Sequence, residues 1–563
     1  MKARRPPPAK PVVGCRAVLT KLKNTSQIGK PSMSYAKVFY AVLAGVFVTL
    51  SLAPFHVWPL ALLATALLFH VTSKAGAKQA FFYCFLFSLA LFISGASWVY
   101  VSIHEFGYIA MPLAILLTLL FCVCLALINA LAWLPFTLFC GAQPGVKDNE
   151  SSHAIVLFAA TGLFSEWLRG WIFSGFPWLY LGYSQTGGPL AGWAPIGGVY
   201  IASLLVYLTG AVLASLFHVR LKGLRSRAKR PLLLAAVLTA CCWVVGPLLL
   251  AIEWVKPQQS SKNVSLVQAN ISQHDKWRPE MLANTLALYN EMSAEEWPQS
   301  DLVVWPEAAV PREYHASANF FSRMHTLAAS YSSTLVTGVP FRGATDSNSP
   351  VSNAAGAQAP GIEQGTAQVH NSVVALGNGQ GVYHKQKLVP FGEYIPLESM
   401  LGPVMQMITL PLSSMGRGDK NQPALQVQDW HTLPLVCYEI VYPALAAKAA
   451  RQSDFLLTLS NDAWFGRSIG PLQHLQMAQM RALENGRDLV RSTGSGVSAI
   501  IDHKGKTKTA SEMFRAETLR GEIVSRQGQT PWTAGGYWLI PLLNLLLLGA
   551  IVAGRLRAQK RNE

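Results

Sequence analysis

Long unbroken apolar runs fill the first 250 residues and return once near the C-terminus. They cover approximately 36–54, 57–73, 79–102, 108–140, 153–173, 195–218, 231–253 and 536–554. A helix needs about 20 apolar residues to cross a bilayer, so the pattern predicts a polytopic bundle of about eight transmembrane helices. The second run is short and is parted from the first by a turn around Pro54; the fourth is overlong and is expected to tilt or break near Pro135.

Between the last two runs the pattern changes. Over 254–535, short β-branched segments alternate with stretches of helical periodicity. Strands are expected at 263–270, 302–306, 334–339, 370–376, 381–388, 433–438, 455–461, 494–502 and 519–524, and helices at 279–296, 318–331, 441–452 and 471–487. Alternation of this kind indicates a layered α/β domain. The stretch 342–369 is rich in Gly, Ala, Ser and Gln and reads as a disordered surface loop.

Composition supports a membrane protein with a large polar part: 51% of residues are hydrophobic and only 13% charged, with mean hydropathy +0.28. The net charge of +17 is carried by three segments, 1–34, 219–230 and 555–563. Each borders an apolar run, as cytoplasmic anchoring charge does, and no nucleic-acid reader motif accompanies them. If the N-terminal tail is inside, the loops at 74–78, 141–152 and 219–230 are inside too, and these carry the basic residues. The loops near 55, 103–107 and 174–194 carry almost none. The expected organisation is therefore a basic Pro-rich cytoplasmic tail (1–34), a transmembrane domain of about seven helices (35–253), a periplasmic domain (254–535), a last transmembrane helix (536–554) and a basic cytoplasmic tail (555–563). The N-terminal tail lacks the short apolar run and small-residue site of a cleavable signal.

Of eight cysteines, six (84, 122, 124, 140, 241, 242) lie in or beside apolar runs, Cys15 lies in the tail, and only Cys437 lies in the large polar domain. An unpaired thiol in an oxidising compartment is better explained by reactivity than by packing. Two further strings place reactive groups at strand ends, where α/β domains build their sites: LVVWPEAAVP carries Glu307, and YHKQKLVPFGEYIP carries Lys385 late in a strand and Glu393 in the next turn. Cys437 leaves a buried strand in LPLVCYEI, with Tyr438 and Glu439 beside it. Taken singly each has an ordinary reading: a core filler, a helix cap, a solvated edge residue. Together they supply a thiol, a base and a cation, the requirements of acyl transfer through a thioester. No metal or cofactor is expected, and Cys122/Cys124 have the wrong spacing for zinc.

Glu307, Lys385 and Cys437, in their WPE, HKxxLVPFGEY and CYE contexts, resemble the triad of the nitrilase superfamily. The apolar runs, LVPFGEYIP, SNDAWFG (460–466), EWLRGWIFSGFPW (166–178) and RALENGRDLVRST (481–493) resemble, more narrowly, the apolipoprotein N-acyltransferases. The resemblance implies an αββα sandwich on the outer face of a helical bundle in the bacterial inner membrane. It also implies a ping-pong transfer of an acyl chain from a phospholipid, through a Cys437 thioester, to the α-amino group of the S-diacylglyceryl cysteine of an apolipoprotein. In that scheme Glu307 is the base, Lys385 holds the oxyanion, Glu393 orients Lys385 or assists proton transfer, Tyr438 and Glu439 line the site, and Trp277 and Trp464 shape the acyl or substrate pocket. The enzyme is expected to act as a monomer.

Three further readings come from the residues. The apolar, Pro-broken segment 397–412, with Met405 and Ile408, is expected to form a lid on the outer leaflet. Glu166 and Arg169, three apart on one helix face, are expected to pair and support the following loop. A membrane-tethered amidase of the same superfamily and a transporter with an external domain are the alternatives; almost no intramembrane charge favours the latter.

Overall fold

The computed structural model describes residues 34–140, 151–222, 226–343, 368–396 and 415–562. The expected lid with Met405 and Ile408, most of the 342–369 loop and nearly all of the N-terminal tail lie outside the described residues.

Helices occupy every apolar run: α1 (Tyr35–Ser51), α2 (Pro59–Thr72), α3 (Ala77–Ala96), α4 (Met111–Ala132), α5 (Ser151–Arg169), α6 (Ala194–Lys222), α7 (Ser226–Leu250) and a C-terminal helix, Tyr537–Asn562. Four stretches, Ala77–Ala96, Met111–Ala132, Ala191–Arg220 and Arg230–Leu250, are long and apolar enough to cross a membrane. The others are shorter or less apolar; α2, with 14 residues, reaches only about 21 Å at 1.5 Å per residue. The long fourth run breaks at Trp133, and Pro135 sits in the first turn of the next helix, Leu134–Cys140, where its missing N–H costs nothing. On α4 and α7 bare side chains such as Leu116, Leu120, Leu233 and Val244 face outward, an apolar surface suited to lipid rather than water.

Glu166 and Arg169 are both buried, but among the described residues no direct ion pair joins them. Glu166 Oε1 accepts from the Leu181 N–H at 2.9 Å. Arg169 donates to the Trp178 carbonyl and to Asn129 Oδ1, both at 3.1 Å, under the rings of Phe92 and Tyr180. The expected pair is thus replaced by two separate anchors, because loop 178–181 offers one free N–H and one free C=O that need charged partners inside the bundle.

The polar domain contains β1 (Lys256–Gln268), β2 (Leu302–Val304), β3 (Thr334–Arg342), β4 (Val369–Gly377), β5 (Gly379–Gln380), β6 (Val382–His384) and β7 (Leu425–Val427). It continues with β8 (Trp430–Thr432), β9 (Leu435–Val436), β10 (Leu456–Ser460), β11 (Leu489–Thr493), β12 (Ala499–Ile501), β13 (Thr507–Ala510) and β14 (Glu517–Gln527). Its helices are α8 (Leu282–Ser293), α9 (Ala318–Ser330), α10 (Pro443–Ala450) and α11 (Gly470–Asn485). One sheet runs β14-β1-β2-β3-β4-β6, the other β13-β12-β11-β10-β9, and β5, β7 and β8 form a small third sheet.

The strands read as continuous apolar runs because both faces are buried. Val264, Leu266, Val304, Val336 and Val373 pack in one core with Leu435, Val436, Leu457 and Val490 of the second sheet. Their sequence neighbours Val267, Val303, Leu335 and Val374 pack in another with Phe320, Phe321 and Met324 of α9. The second sheet is covered by α10 and α11, through Ala446, Ala447 and Met477, giving a helix–sheet–sheet–helix stack.

Two expectations are corrected. Of the strand predicted at 494–502 only Ala499–Ile501 (β12) is strand, 494–498 forming a turn; β11 (Leu489–Thr493), just before it, escaped the pattern because it carries a buried arginine, Arg491. The strand predicted at 381–388 ends at His384, so Lys385 lies just beyond it rather than within it.

Helix α11 joins the two parts. Gln473 Oε1 accepts from the indoles of Trp178 (2.7 Å) and Trp98 (3.3 Å). Gln476 bridges the Ala53 N–H and the Tyr183 carbonyl, and Glu484 accepts from the Val199 N–H at 2.7 Å. Buried amides and a carboxylate therefore fix the sandwich to the bundle by hydrogen bonds to indole and backbone groups.

Candidate active site

Glu307, Lys385, Cys437 and Asn461 each follow a strand: β2, β6, β9 and β10 respectively. Carboxyl ends of strands from both sheets thus meet in one cleft. Glu307 reaches it through a tight turn in which Ala308 has φ +47°. Gly338 allows this turn to sit close: a Cβ there would lie 2.6 Å from Glu307 Cα.

Three groups hold the Glu307 carboxylate. Asn371 Nδ2 donates to Oε1 at 2.7 Å, the Asn461 N–H donates to Oε2 at 2.7 Å, and Lys385 Nζ lies 3.4 Å from Oε1. Lys385 is 2.9 Å from Glu393 Oε1, and Glu393 also takes the Val389 N–H (2.8 Å) and Asn371 Nδ2 (3.0 Å). Burial works against the Lys385 charge, but Glu393 and then Glu307 override it and raise its pKa above the ordinary lysine value. The cation is therefore permanent. Beneath Glu307, buried Lys276 donates to the Glu307 carbonyl at 3.0 Å; burial pulls its pKa down to about 8 against the pull of Glu307.

Cys437 has φ +51°, a conformation disfavoured for a residue with a side chain, and it opens the short turn Cys437–Val441. The strain is held from two sides. His474 Nε2 lies 3.2 Å from the Cys437 carbonyl, and Glu439 accepts the Val436 N–H at 2.8 Å. Burial first, then the Glu307 charge, pushes the thiol pKa up to about 12; Lys385 and the Ser460 hydroxyl pull the other way. A thiol held this high is protonated at neutral pH; Glu307, and less strongly Asp462, are the carboxylates whose charge acts on it.

Glu439 does not open into the cleft. Its carboxylate accepts from Tyr383 Oη, Gln386 N–H and Lys387 N–H as well as Val436 N–H, and so ties the Lys385 loop to the nucleophile turn. Tyr438 points the other way and donates to the Gly175 carbonyl of the membrane bundle at 2.9 Å. Tyr442 donates to the neighbouring Ser174 carbonyl at 2.8 Å, and Tyr394 touches the Ser174 hydroxyl. The loop 172–175, with Phe173 and Ser174 at positive φ, is thereby clamped beside the Cys437 turn. Trp277 and Trp464 are about half exposed at the rim. Trp464 packs edge-on against Phe106 of the bundle and accepts from Ser102 through its carbonyl.

Sequence reasoning missed the support behind Cys437. Asp462 accepts from Ser460 Oγ at 2.6 Å and from Arg491 at 2.5 Å, with His474 Nδ1 3.1 Å away. Burial opposes the Asp462 charge, yet Arg491 holds its carboxyl below the ordinary range. Burial and Arg491 also lower His474, which fits a neutral ring that donates from Nε2 to Cys437 and accepts at Nδ1 from Arg491, 3.2 Å away. The SNDAWFG string marked Ser460 and Asp462 as a motif but gave no partner; His474 and Asn371 had no local signal.

Comparison with known proteins agrees with this geometry. Residues 44–212 match the model of the apolipoprotein N-acyltransferase N-terminal domain, and 263–530 match that of carbon-nitrogen hydrolases. An apolipoprotein N-acyltransferase from Azotobacter vinelandii is 42% identical over 90% of this chain and 93% of its own length. Those from Pseudomonas syringae pv. tomato (41%, 92% and 96%) and Vibrio vulnificus (37%, 88% and 93%) are comparably similar. Among solved structures, the C. elegans NitFhit protein aligns over 50% of this chain and 64% of its own at 14% identity and a TM-score of 0.33; the fold assignment rests on the family matches instead. With both halves matched and relatives aligned nearly end to end, the chain belongs to the apolipoprotein N-acyltransferase family.

Proposed function

We propose that this chain transfers a fatty acyl group from a membrane phospholipid to the α-amino group of the diacylglyceryl cysteine of an apolipoprotein, with Cys437 as the acyl carrier. The observation that carries the reading is the convergence of Cys437, Glu307 and Lys385 from three strand ends, with Glu393 and Asn371 bracing the ammonium and the carboxylate.

In the first half-reaction Glu307 takes the thiol proton and the Cys437 thiolate attacks the phospholipid ester carbonyl. Lys385 Nζ, with a backbone N–H beside Cys437, stabilises the oxyanion. Collapse returns the proton to the departing alkoxide, releasing lysophospholipid and leaving a thioester. In the second half the lipoprotein amine attacks the thioester, Glu307 accepts the amine proton, and Cys437 leaves as the thiol. Glu393 keeps Lys385 in place, and Tyr438 and Glu439 hold the nucleophile turn against the bundle and the Lys385 loop. Trp277 and Trp464 line the substrate entrance.

Topology completes the reading. On this reading the chain has eight spans, both termini in the cytoplasm and residues 254–535 in the periplasm of the bacterial inner membrane, with one chain as the working unit. The basic segments at 1–34, 219–230 and 555–563 support this orientation. Intact-mass spectrometry of the protein mixed with phospholipid tests the mechanism. A gain of one acyl group, lost in Cys437→Ala, is expected; an unmodified wild-type protein that still forms product would overturn it.

A further inference from the structure

At the far side of the domain from the nucleophile turn lies a cleft of about 390 Å³, where the sandwich meets the start of the C-terminal helix. Three guanidinium groups line it, those of Arg451, Arg487 and Arg526, with His431 and Asp454. None of them takes part in the acyl-transfer site.

Arg487 is 5% exposed. Its Nε donates to the Ser453 carbonyl at 3.0 Å and its Nη2 to the Gly528 carbonyl at 2.8 Å, while Nη1 has no acceptor among the described residues. Arg526 Nε has none either; its nearest carboxylate oxygen, on Asp488, is 3.6 Å away. The charges of Asp454 and, less strongly, Arg526 act on Arg487 in opposite senses; Arg526 is ion-paired with Asp488, while Nη1 of Arg487 keeps its donors unspent. Asp454 makes no direct ion pair with these guanidinium groups among the described residues. Its two oxygens accept from the His431 N–H (2.7 Å) and Ser525 Oγ (3.0 Å), and among the described residues no carboxylate oxygen lies within ion-pair distance of Arg487 or Arg451. A buried, under-satisfied guanidinium beside a second one is a costly arrangement that a tetrahedral oxyanion relieves, since its oxygens match the planar fork.

The neighbourhood indicates how that anion arrives. Arg451 donates to the Thr533 carbonyl at 2.6 Å and lies over the ring of Tyr537, the first residue of the C-terminal helix. From there Trp538, Leu539 and Leu542 are exposed in succession, a Trp followed by bare leucines, as at a membrane interface. We propose that this cleft binds the phosphate headgroup of an anionic phospholipid in the outer leaflet, with the acyl chains lying along the Trp538–Leu542 face. It is a holding site separate from the donor ester at Cys437. The inference rests on the reading that the C-terminal helix crosses the membrane.

The test is native mass spectrometry of the full-length protein in detergent, titrated with phosphatidylglycerol, phosphatidylethanolamine or inorganic phosphate. Wild type is expected to retain one phosphatidylglycerol in preference to phosphatidylethanolamine. Arg526→Gln, whose side chain is partly exposed, and Arg451→Gln should each weaken retention about tenfold, the scale of one charge-assisted contact; Arg487→Gln is a third variant, read only if its melting temperature is retained. Retention unchanged in Arg526→Gln and Arg451→Gln overturns the proposal. Inorganic phosphate displacing the lipid at micromolar concentration assigns the site to a free anion and overturns the lipid source. A protein that fails to enter phospholipid nanodiscs at all would instead refute the membrane reading; entry with unaltered lipid retention refutes only this site.

Discussion

The cleft around Glu307 and the pocket around Glu439 each bury a glutamate beside Cys437, and they use it in opposite ways. Glu307 has three partners, and two of them, Lys385 and Asn371, are themselves shared with Glu393. Its carboxylate stays next to a thiol and an ammonium that can exchange protons and charge with a substrate. Glu439 is saturated: one phenol and three backbone N–H groups converge on it. It acts as a clamp between two loops. Adjacent carboxylates of similar burial are thus divided between chemistry and architecture by the identity of their donors. Glu307 is held by two side-chain donors and one backbone N–H, whereas three backbone N–H groups bind Glu439 into the fold.

That contrast can be broken first at Glu307. Glu307→Gln should slow thioester formation about 10³-fold, within the range for a lost general base, with the melting temperature nearly unchanged. The same substitution removes a negative charge that raises the thiol pKa. The ionisation of Cys437, read as the pH midpoint of its alkylation in the alkaline range, should therefore move to lower pH while acyl transfer at neutral pH collapses. Unchanged or faster acyl transfer would remove Glu307 from the role of base.

Glu439→Gln should do the reverse and cost stability first. Each charge-assisted hydrogen bond lost or inverted is worth about 1–3 kcal/mol, so a melting temperature lowered by several degrees is expected, with transfer falling only as the turn loosens. The pH dependence sharpens this. Burial, opposed by the Val436 and Lys387 N–H groups, raises Glu439 to about 7, above the unfolded carboxyl value of about 4.3. The folded state therefore binds the proton more tightly, and the stabilisation is fully present below the unfolded value and lost as pH rises through about 7. The stability gap between wild type and Glu439→Gln should be wider at pH 5 than at pH 8. A narrower gap at pH 5 would mean that the donors keep Glu439 ionised.

The smallest effect is expected at Ser460. Ser460→Ala removes a hydroxyl that lowers the thiol pKa and touches Asp462. The alkylation profile of Cys437 should move to higher pH, with a rate at pH 8 reduced about two- to fivefold, the scale of one neutral hydrogen bond. An unmoved profile would confine the Asp462 cluster to holding the backbone turn.

Much of this was legible along the chain. Glu307, Lys385 and Cys437 each stand in a short string where an apolar strand gives way to a turn, and strand-end placement is a local property. The helical runs were equally plain, since 3.6-residue packing in lipid demands apolar side chains all round. Asn371, His474 and Arg491 were not legible. Asn371 looks like an ordinary strand residue until β4 is set beside β6, and Arg491 argues against a buried strand until Asp462, 29 residues earlier, is placed against it.

By itself, then, the sequence determined which segments are apolar on all sides, which alternate, and where single reactive groups leave a strand, because hydrophobic burial and turn chemistry act between near neighbours. Only the tertiary structure decided which carboxylate is free to act and which is locked. It also decided that Glu166 and Arg169 serve loop backbone rather than each other, and that the guanidinium of Arg487 faces a cleft. Those outcomes depend on which donors burial brings within about 3 Å, and partners on different elements share no local pattern from which such a meeting could be read.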